Sequence, residues 1–310
     1  MVARGDSVDL LDSFARARMD ETLAELEASP SVRLLRLDLL EAGCLDRLDR
    51  DYERVVHLAA VVGVAHVLGA PQRTLRDNVT MTNQVLGWAR GLPRLERLLF
   101  ASTSEVYAGT LNAFDWTIPT PEDVPLTVAD VADARSAYAI SKLYGEALCH
   151  HAEVPFTIVR PHNVYGPRMG LSHVIPELLE RAHRSPRNGR LEVYSVDHRR
   201  TFCFIDDAVE IILRALDSPE CAGETLNVGR GEPEVSIGRL AELVIETVGK
   251  PLTVHALPPT PGSPLRRCPD MAKTVRLTGW SGRTELRDGL RRTYDWYRLR
   301  IFDGPAVDVR

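Results

Sequence analysis

Two short stretches carry residue types that can move a proton. One is Thr103-Ser104-Glu105-Val106-Tyr107, directly after the apolar run from Arg97 to Ser102. The other is Tyr138-Ala139-Ile140-Ser141-Lys142, which opens a segment of helical spacing from Ser136 to His150. Four residues apart, Tyr138 and Lys142 share one helix face. An ammonium near a phenol favours phenolate and lowers its pKa towards working pH. A strand-end hydroxyl facing this pair is therefore a means of taking the proton from an alcohol. A surface tyrosine and lysine on an ordinary helix is the plain alternative. The strand that ends in Ser102-Thr103-Ser104-Glu105 makes the chemical reading more specific.

These residues need a scaffold that brings a strand end to a helix face. Strands are expected at Ser7–Leu11, ending in Asp12, at Val32–Leu37, ending at Asp38, and at Arg54–Ala60, Arg97–Ser102 and Phe156–Arg160. Helical runs lie between them, to about Ala28, at Thr74–Arg90 and at Ser136–His150. Short apolar strands alternating with helices predict an α/β fold built on a doubly wound parallel sheet. After Arg160 the texture changes, with Pro161, Gly166, Pro167, Gly170 and Pro176. Helices are expected at Val174–Ala182, Asp206–Leu216, Ile237–Val248 and Glu285–Tyr297, and strands at Leu191–Tyr194 and Glu224–Gly229. Residues 1–160 then form the sheet domain. Residues 161–310 form mainly a smaller C-terminal substrate-binding domain, with about 202–229 returning to the sheet.

The expected opening of such a sheet is absent. A dinucleotide-binding sheet begins with a strand, a glycine-rich turn and a helix whose N-terminus holds a pyrophosphate. Met1-Val2-Ala3-Arg4-Gly5 reads instead as the end of that first helix, with Gly5 as its C-cap. A truncated or misplaced start is the preferred explanation, a real deletion the alternative.

At 310 residues the chain can bury a sizeable core. A formal net charge of -5 gives no sign of nucleic acid as a partner. No apolar run approaches the ~20 residues of a membrane span, and the N-terminus has no secretory pattern. Five scattered cysteines without metal-ligand spacing read as reduced thiols in a cytoplasmic protein, and no metal site is expected. Asp206-Asp207 reads as a helix N-cap rather than a metal pair. The basic run Arg181–Arg190 reads as a solvated loop.

Taken in order, several motifs resemble the extended short-chain dehydrogenase/reductases. They are Asp12 after a strand, His57-Leu58-Ala59-Ala60, Asn78-Val79, Ser102–Tyr107, Tyr138–Lys142, Arg160–Pro167 and Arg266-Arg267-Cys268-Pro269-Asp270. More narrowly, the chain is similar to the NAD-dependent nucleotide-sugar epimerases, dehydratases and decarboxylases, such as UDP-glucose or UDP-glucuronate 4-epimerases and UDP-glucuronate decarboxylases.

The resemblance implies a Rossmann-type domain, NAD as cofactor, a nucleotide-sugar substrate, with UDP the expected nucleotide, and a homodimer. Asp12 would accept hydrogen bonds from the adenosine ribose, with a helix N-cap as its alternative. Asp38 and Leu39 would flank the adenine. Leu58, Ala59 and Ala60 would let the cofactor pass close to backbone. Asn78, Ser102, Pro161, Tyr138 and Lys142 complete the cofactor set. Thr103 would sit on the sugar 4-hydroxyl, Tyr138 would take its proton, and hydride from C4 would pass to the nicotinamide. Asn163, Ser104, Val174, Arg200 and Arg267 would bind substrate, the two arginines through phosphate. His162 is expected as a packed histidine.

Glu105 carries the undecided step. As a second acid or base at C5 or C6 it suits decarboxylation or dehydration; its alternative is an ion pair with an arginine. Thr103-Ser104-Glu105 resembles the decarboxylases, whereas Tyr138-Ala139-Ile140-Ser141-Lys142 resembles the epimerases, and 4-epimerisation is placed slightly ahead. A non-catalytic NAD- or sugar-nucleotide-binding regulator is the alternative from another class.

Overall fold

The computed structural model describes residues 1–15, 19–114, 116–260 and 263–304. A helical turn at Val2–Arg4 ends at Gly5, whose φ of 91° is the left-handed conformation of a glycine C-cap. β1 (Val8–Asp12) follows, then α1 (Glu21–Glu27), β2 (Val32–Arg36) and β3 (Arg54–His57). The ladder of β3 ends at His57, so Leu58–Ala60, expected as strand, form a loop at its carboxyl end. A helix not foreseen, α2 (Val64–Gly69), precedes α3 (Pro71–Ala89). α3 starts earlier than expected because Pro71 takes the first helical position, where its missing N–H costs nothing.

β4 (Arg97–Ala101) leads through a short helix, α4 (Ala108–Ala113), to α5 (Ser136–His151) and β5 (Phe156–Pro161). Next come β6 (Val164–Tyr165), α6 (Val174–Arg184), β7 (Arg190–Tyr194), β8 (Arg199–Arg200), β9 (Cys203–Phe204) and α7 (Ile205–Asp217). The run from Arg181 to Arg184, expected as loop, is the last turn of α6, where Arg181 and Arg184 pair with Glu177 and Glu180 one turn back. β10 (Thr225–Val228), β11 (Val235–Ser236), α8 (Ile237–Val248), β12 (Thr253–Leu257), β13 (Arg266–Arg267), α9 (Ala272–Thr278) and α10 (Leu286–Tyr297) complete the chain.

The parallel sheet is present in two pieces. One has the order β3-β4-β5-β10, and the other is the pair β1-β2. β4 is buried through its first four residues, as an interior parallel strand should be. α3 and α5 cover one face. On α5, a Cβ at Gly145 would lie 2.3 Å from the Phe100 ring, so glycine allows α5 to approach β4 closely. β10 pairs with β5, bringing the chain back to the sheet after β6–β9. Outside it, α6, α8 and α10 pack with β7 and β12 around a second core that includes Leu179, Leu240 and Tyr297. All five cysteines are free and buried. Among the described residues no helix is long and apolar enough to cross a membrane.

Candidate active site

Thr103 is the second residue past β4. Its hydroxyl accepts from the Glu105 amide at 3.2 Å and caps the helical turn Ser104–Tyr107. From α5, the Lys142 Nζ donates to the Ala101 carbonyl at 2.7 Å and lies 5.9 Å from the centre of the Tyr138 ring. One hydrogen bond thus joins the helix carrying Tyr138 to the strand end carrying Thr103.

Burial pushes the Tyr138 phenol up to about 12; a hydrogen bond with Thr103 works against the rise and the charge of Glu105 adds to it. The expected lowering by Lys142 is therefore corrected. Lys142 bonds a backbone carbonyl rather than the phenol, and its own pKa is pushed down to about 8 by burial.

That shift fixes a sign. Between about 8 and the ordinary 10.5 the unfolded chain binds a proton that folded Lys142 does not, so stability rises with pH across this window. Below about 8 the buried ammonium costs stability. Lys142→Met should therefore be the more stable protein at pH 7, by up to about 3 kcal/mol less the ~1 kcal/mol of the lost hydrogen bond. Denaturant melts at pH 7 and 10.5 should show the gain vanish at the higher pH; a gain independent of pH would refute it.

Glu105 meets Arg267 of β13, whose Nη1 donates to Oε1 at 2.6 Å. Attraction to Arg267 holds the Glu105 carboxyl below the usual carboxylate range. The ion-pair alternative for Glu105 is thus realised, with an arginine itself expected at the site. The Arg267 side chain is 11% exposed, and its Nε is buried without an acceptor. Arg200 of β8 donates to the carbonyls of Arg199, Pro264 and Leu265 and to the Ser263 hydroxyl, holding the segment that leads into Arg267. In this arrangement its terminal nitrogens hold backbone, where phosphate was expected.

Asn163 sits at a left-handed φ of 42° and donates its amide to the Thr201 carbonyl at 3.0 Å. Ser104 is buried, and Val174 is exposed at the start of α6. Asn78 is buried and ties the loop after β3 to α5: Oδ1 accepts from the Val61 amide at 2.7 Å, and Nδ2 donates to Ser141 Oγ at 3.1 Å. Leu58 is 60% exposed, Ala59 is exposed and Ala60 half-buried. Asp12 and Asp38 each accept a backbone amide two residues on, at 2.7 and 2.9 Å. The N-cap of α1 is Asp20, so Asp12 does not cap that helix. Leu39 is half-buried, its carbonyl taken by Gln84, and Pro161 ends β5 beside Val228.

The Ser102 hydroxyl donates to Glu146, inside a buried network not read from the sequence. Arg160 makes two bonds to Glu146, at 2.9 and 2.6 Å, and one to the Tyr107 hydroxyl at 2.7 Å. Tyr107 in turn donates to Asn227 Oδ1 at 2.9 Å. Asn227 donates its amide to the Thr120 and Asp270 carbonyls, so its oxygen faces His162 Nε2 at 2.9 Å, and that nitrogen carries the proton. Burial depresses His162 to about 3, which leaves it a neutral packed histidine, as expected. One signal pointed to the network: Glu146 lies four residues beyond Lys142, on the face of Tyr138.

Among the described residues no cluster could hold a metal ion. Asp206 is not an N-cap. α7 begins after Phe204, with Asp206 paired to Arg292 and Asp207 accepting from the amides of Arg283 and Thr284.

Residues 2–229 match the model of the NAD dependent epimerase/dehydratase family. UDP-glucuronic acid decarboxylase 4 of Arabidopsis thaliana is 30% identical over 316 residues, 99% of this chain and 67% of that protein. The chain spans about two thirds of the length of this and similar plant relatives. A dTDP-glucose 4,6-dehydratase from Streptomyces venezuelae, solved with NAD bound, superposes with a TM-score of 0.81 at 27% identity, covering 95% of this chain and 88% of that one. A UDP-glucuronic acid 4-epimerase from Bacillus cereus, in complex with UDP-glucuronic acid and NAD, gives 0.80 at 26% identity, with 96% and 92% covered. The match over the sheet and both proton-transfer stretches, together with these relatives, establishes that the chain belongs to the NAD-dependent epimerase/dehydratase family.

Proposed function

We propose that this protein is an NAD-dependent enzyme that oxidises a nucleotide-linked uronic acid, UDP-glucuronate by preference, at C4 and then releases CO2 from the resulting 4-keto acid. The observation that carries the reading is the Glu105–Arg267 pair beside Tyr138. A guanidinium already holding a carboxylate suits a sugar that brings a carboxylate of its own. This moves decarboxylation ahead of 4-epimerisation. Epimerisation stays as the second reading, favoured by Tyr138-Ala139-Ile140-Ser141-Lys142 and by the 4-epimerase among the structural neighbours.

The residues present fit the two ends of a dinucleotide. Asp12 ends β1 and Asp38 lies two residues past the adjacent β2, where an adenosine would lie, and exposed Leu58 and Ala59 lie on the loop that Asn78 ties to the Lys142 helix. They lack its centre: among the described residues, the strand ends flanking that space carry no glycine-rich turn whose amides could hold a diphosphate. The nicotinamide, when bound, supplies the hydride acceptor and returns the hydride.

The chain's own residues do the rest. Thr103 orients the sugar 4-hydroxyl and Tyr138 takes its proton as the C4 hydride leaves. In the 4-keto acid the C5–C6 bond then breaks, its electron pair entering the enolate as CO2 departs. Arg267 holds the carboxylate before this step, and Glu105, released from Arg267 and ionised, relays a proton from water to C5 of the enolate.

The test is product analysis by NMR on UDP-glucuronate without added reductant. The expected result is a UDP-pentose and CO2; a 4-epimer alone would replace this reading with the second. Glu105→Ser should lower CO2 release by about 10²–10⁴-fold and spare any epimerisation. Equal loss of both would show that Glu105 serves the shared oxidation instead.

A further inference from the structure

Asn227, the third residue of β10, is fully buried, and every polar atom it has is engaged. Its Nδ2 donates to the Thr120 carbonyl at 3.1 Å and to the Asp270 carbonyl at 3.0 Å. Its Oδ1 accepts from the Tyr107 hydroxyl and from His162 Nε2, each at 2.9 Å. An asparagine side chain has two donor hydrogens and two acceptor lone pairs, so all four are used. The two carbonyls fix which end is the amide nitrogen, because a carbonyl cannot donate. The backbone is held as well: the Asn227 amide donates to Glu122 Oε1 at 2.8 Å, and its carbonyl accepts from the Thr274 hydroxyl at 2.7 Å.

These partners fall on both halves of the Glu105–Arg267 pair. Tyr107 ends the helical turn Ser104–Tyr107 that carries Glu105. Asp270 lies three residues after Arg267, and Thr120 fastens the residues between them. The Thr120 amide donates to the Cys268 carbonyl, and its carbonyl accepts from the Asp270 amide, both at 2.9 Å. Among the described residues no backbone hydrogen bond joins the Ser104–Tyr107 turn to residues 266–270. Asn227 is bonded to both. Arg200 holds the chain ahead of Arg267, and Asn227 holds the chain behind it. A buried polar network with every member paired is rigid, since leaving one group unpaired is costly.

We infer that Asn227 is the positioning residue of the Glu105–Arg267 pair, acting through Tyr107 on one half and through Thr120 and Asp270 on the other. It governs the step that the pair performs. Thr103, Tyr138 and Lys142 depend on other bonds, those of Lys142 to Ala101 and of Glu146 to Arg160. The assignment of CO2 release to the pair rests on the function proposed above; the positioning of the pair does not.

Three variants test it. Asn227→Ser is neutral and too short to reach all four partners. Tyr107→Phe removes one arm and keeps the ring, so it decides the matter if Asn227→Ser does not fold. Thr274→Val is the control: it removes an equally buried bond to Asn227 that leads to neither half of the pair. The first measurement needs no substrate. It is carbon-13 NMR of the glutamate carboxyls, with Glu105 assigned by its loss in Glu105→Gln. The Glu105 titration should move up towards the ordinary carboxylate value in Asn227→Ser and Tyr107→Phe, because a displaced Arg267 attracts the carboxylate less. It should stay in place in Thr274→Val. A Glu105 titration unmoved in folded Tyr107→Phe, or moved equally in Thr274→Val, would overturn the inference. The second measurement is a single turnover with NAD and UDP-glucuronate. CO2 release should fall by about 10–100-fold in Asn227→Ser and Tyr107→Phe, the scale of a small misplacement of reacting groups. C4 oxidation, read as transient NADH absorbance, should stay within about threefold. Equal loss of both steps would make Asn227 a general support of the fold and sink the assignment. If the parent releases no CO2 while the Glu105 titration moves as expected, the positioning stands and the decarboxylase reading falls.

Discussion

Tyr138→Phe should keep the fold and the affinity for NAD and nucleotide sugar, and lose turnover by about 10²–10⁴-fold, the usual contribution of a positioned acid–base group. Only the phenolic oxygen is removed. The ring keeps its place on α5, 5.9 Å from Lys142 Nζ, and Lys142 keeps its bond to Ala101. The phenol is expected to be the group lost in chemistry because Thr103 favours its ionised form while burial and Glu105 oppose it. The measurement is single-turnover conversion of UDP-glucuronate beside calorimetric binding of NAD and the sugar nucleotide. Binding retained with turnover lost is the signature of an enzyme. Turnover unchanged within about twofold would remove Tyr138 from proton transfer, binding without any turnover in the parent protein would make a binding regulator the better account, and loss of binding in the variant would place Tyr138 in recognition.

The placement of Thr103, Tyr138 and Lys142 was legible because it obeys local rules. Tyr138 and Lys142 share a helix face by spacing alone, and Thr103 follows an apolar run that could only be a buried strand. Gly5 was legible as a helix C-cap for the same reason, and it takes the left-handed conformation of one. What stayed hidden depends on residues distant in sequence meeting in space. Arg267 reaches Glu105 across 162 positions, and Arg160 meets Tyr107 across 53. Nothing in the sequence reveals that three carbonyls stand within reach of Arg200. The direction of the Tyr138 shift was missed for a related reason. Spacing places Lys142 near the phenol, but only the fold shows that its ammonium turns to the Ala101 carbonyl and that burial raises the phenol.

The same division separates chemistry from support. Lys142 and Glu146 are one turn apart on α5. Lys142 ties the helix to the end of β4, and Glu146 ties it to β5 through Arg160 and to Ser102. A shift of α5 along the sheet would break both ties together. Tyr138 and Lys142 are therefore held in register by the buried ion pair of Glu146 and Arg160 as well as by the Ala101 bond.

Arg160→Leu should accordingly destabilise the protein by about 3–5 kcal/mol, since it leaves a buried carboxylate without its partner. Glu146 and Arg160 are 5% and 4% exposed, so water cannot replace the lost bonds, and the Ser102 hydroxyl alone remains on the carboxylate. Tyr107 also loses the donor to its hydroxyl. The paired change Glu146→Leu with Arg160→Leu should recover most of that stability, because two apolar side chains avoid the desolvation that the ion pair has to offset. If the pair positions α5, the double variant should still turn over more slowly than the parent, at the same KM and with a stability near normal. Urea denaturation beside steady-state kinetics reads both quantities. A single variant that costs less than about 1 kcal/mol would place the pair in contact with water, within the range of exposed ion pairs. A double variant with parental kcat would confine the network to stability and leave the register of Tyr138 and Lys142 to the Ala101 bond alone.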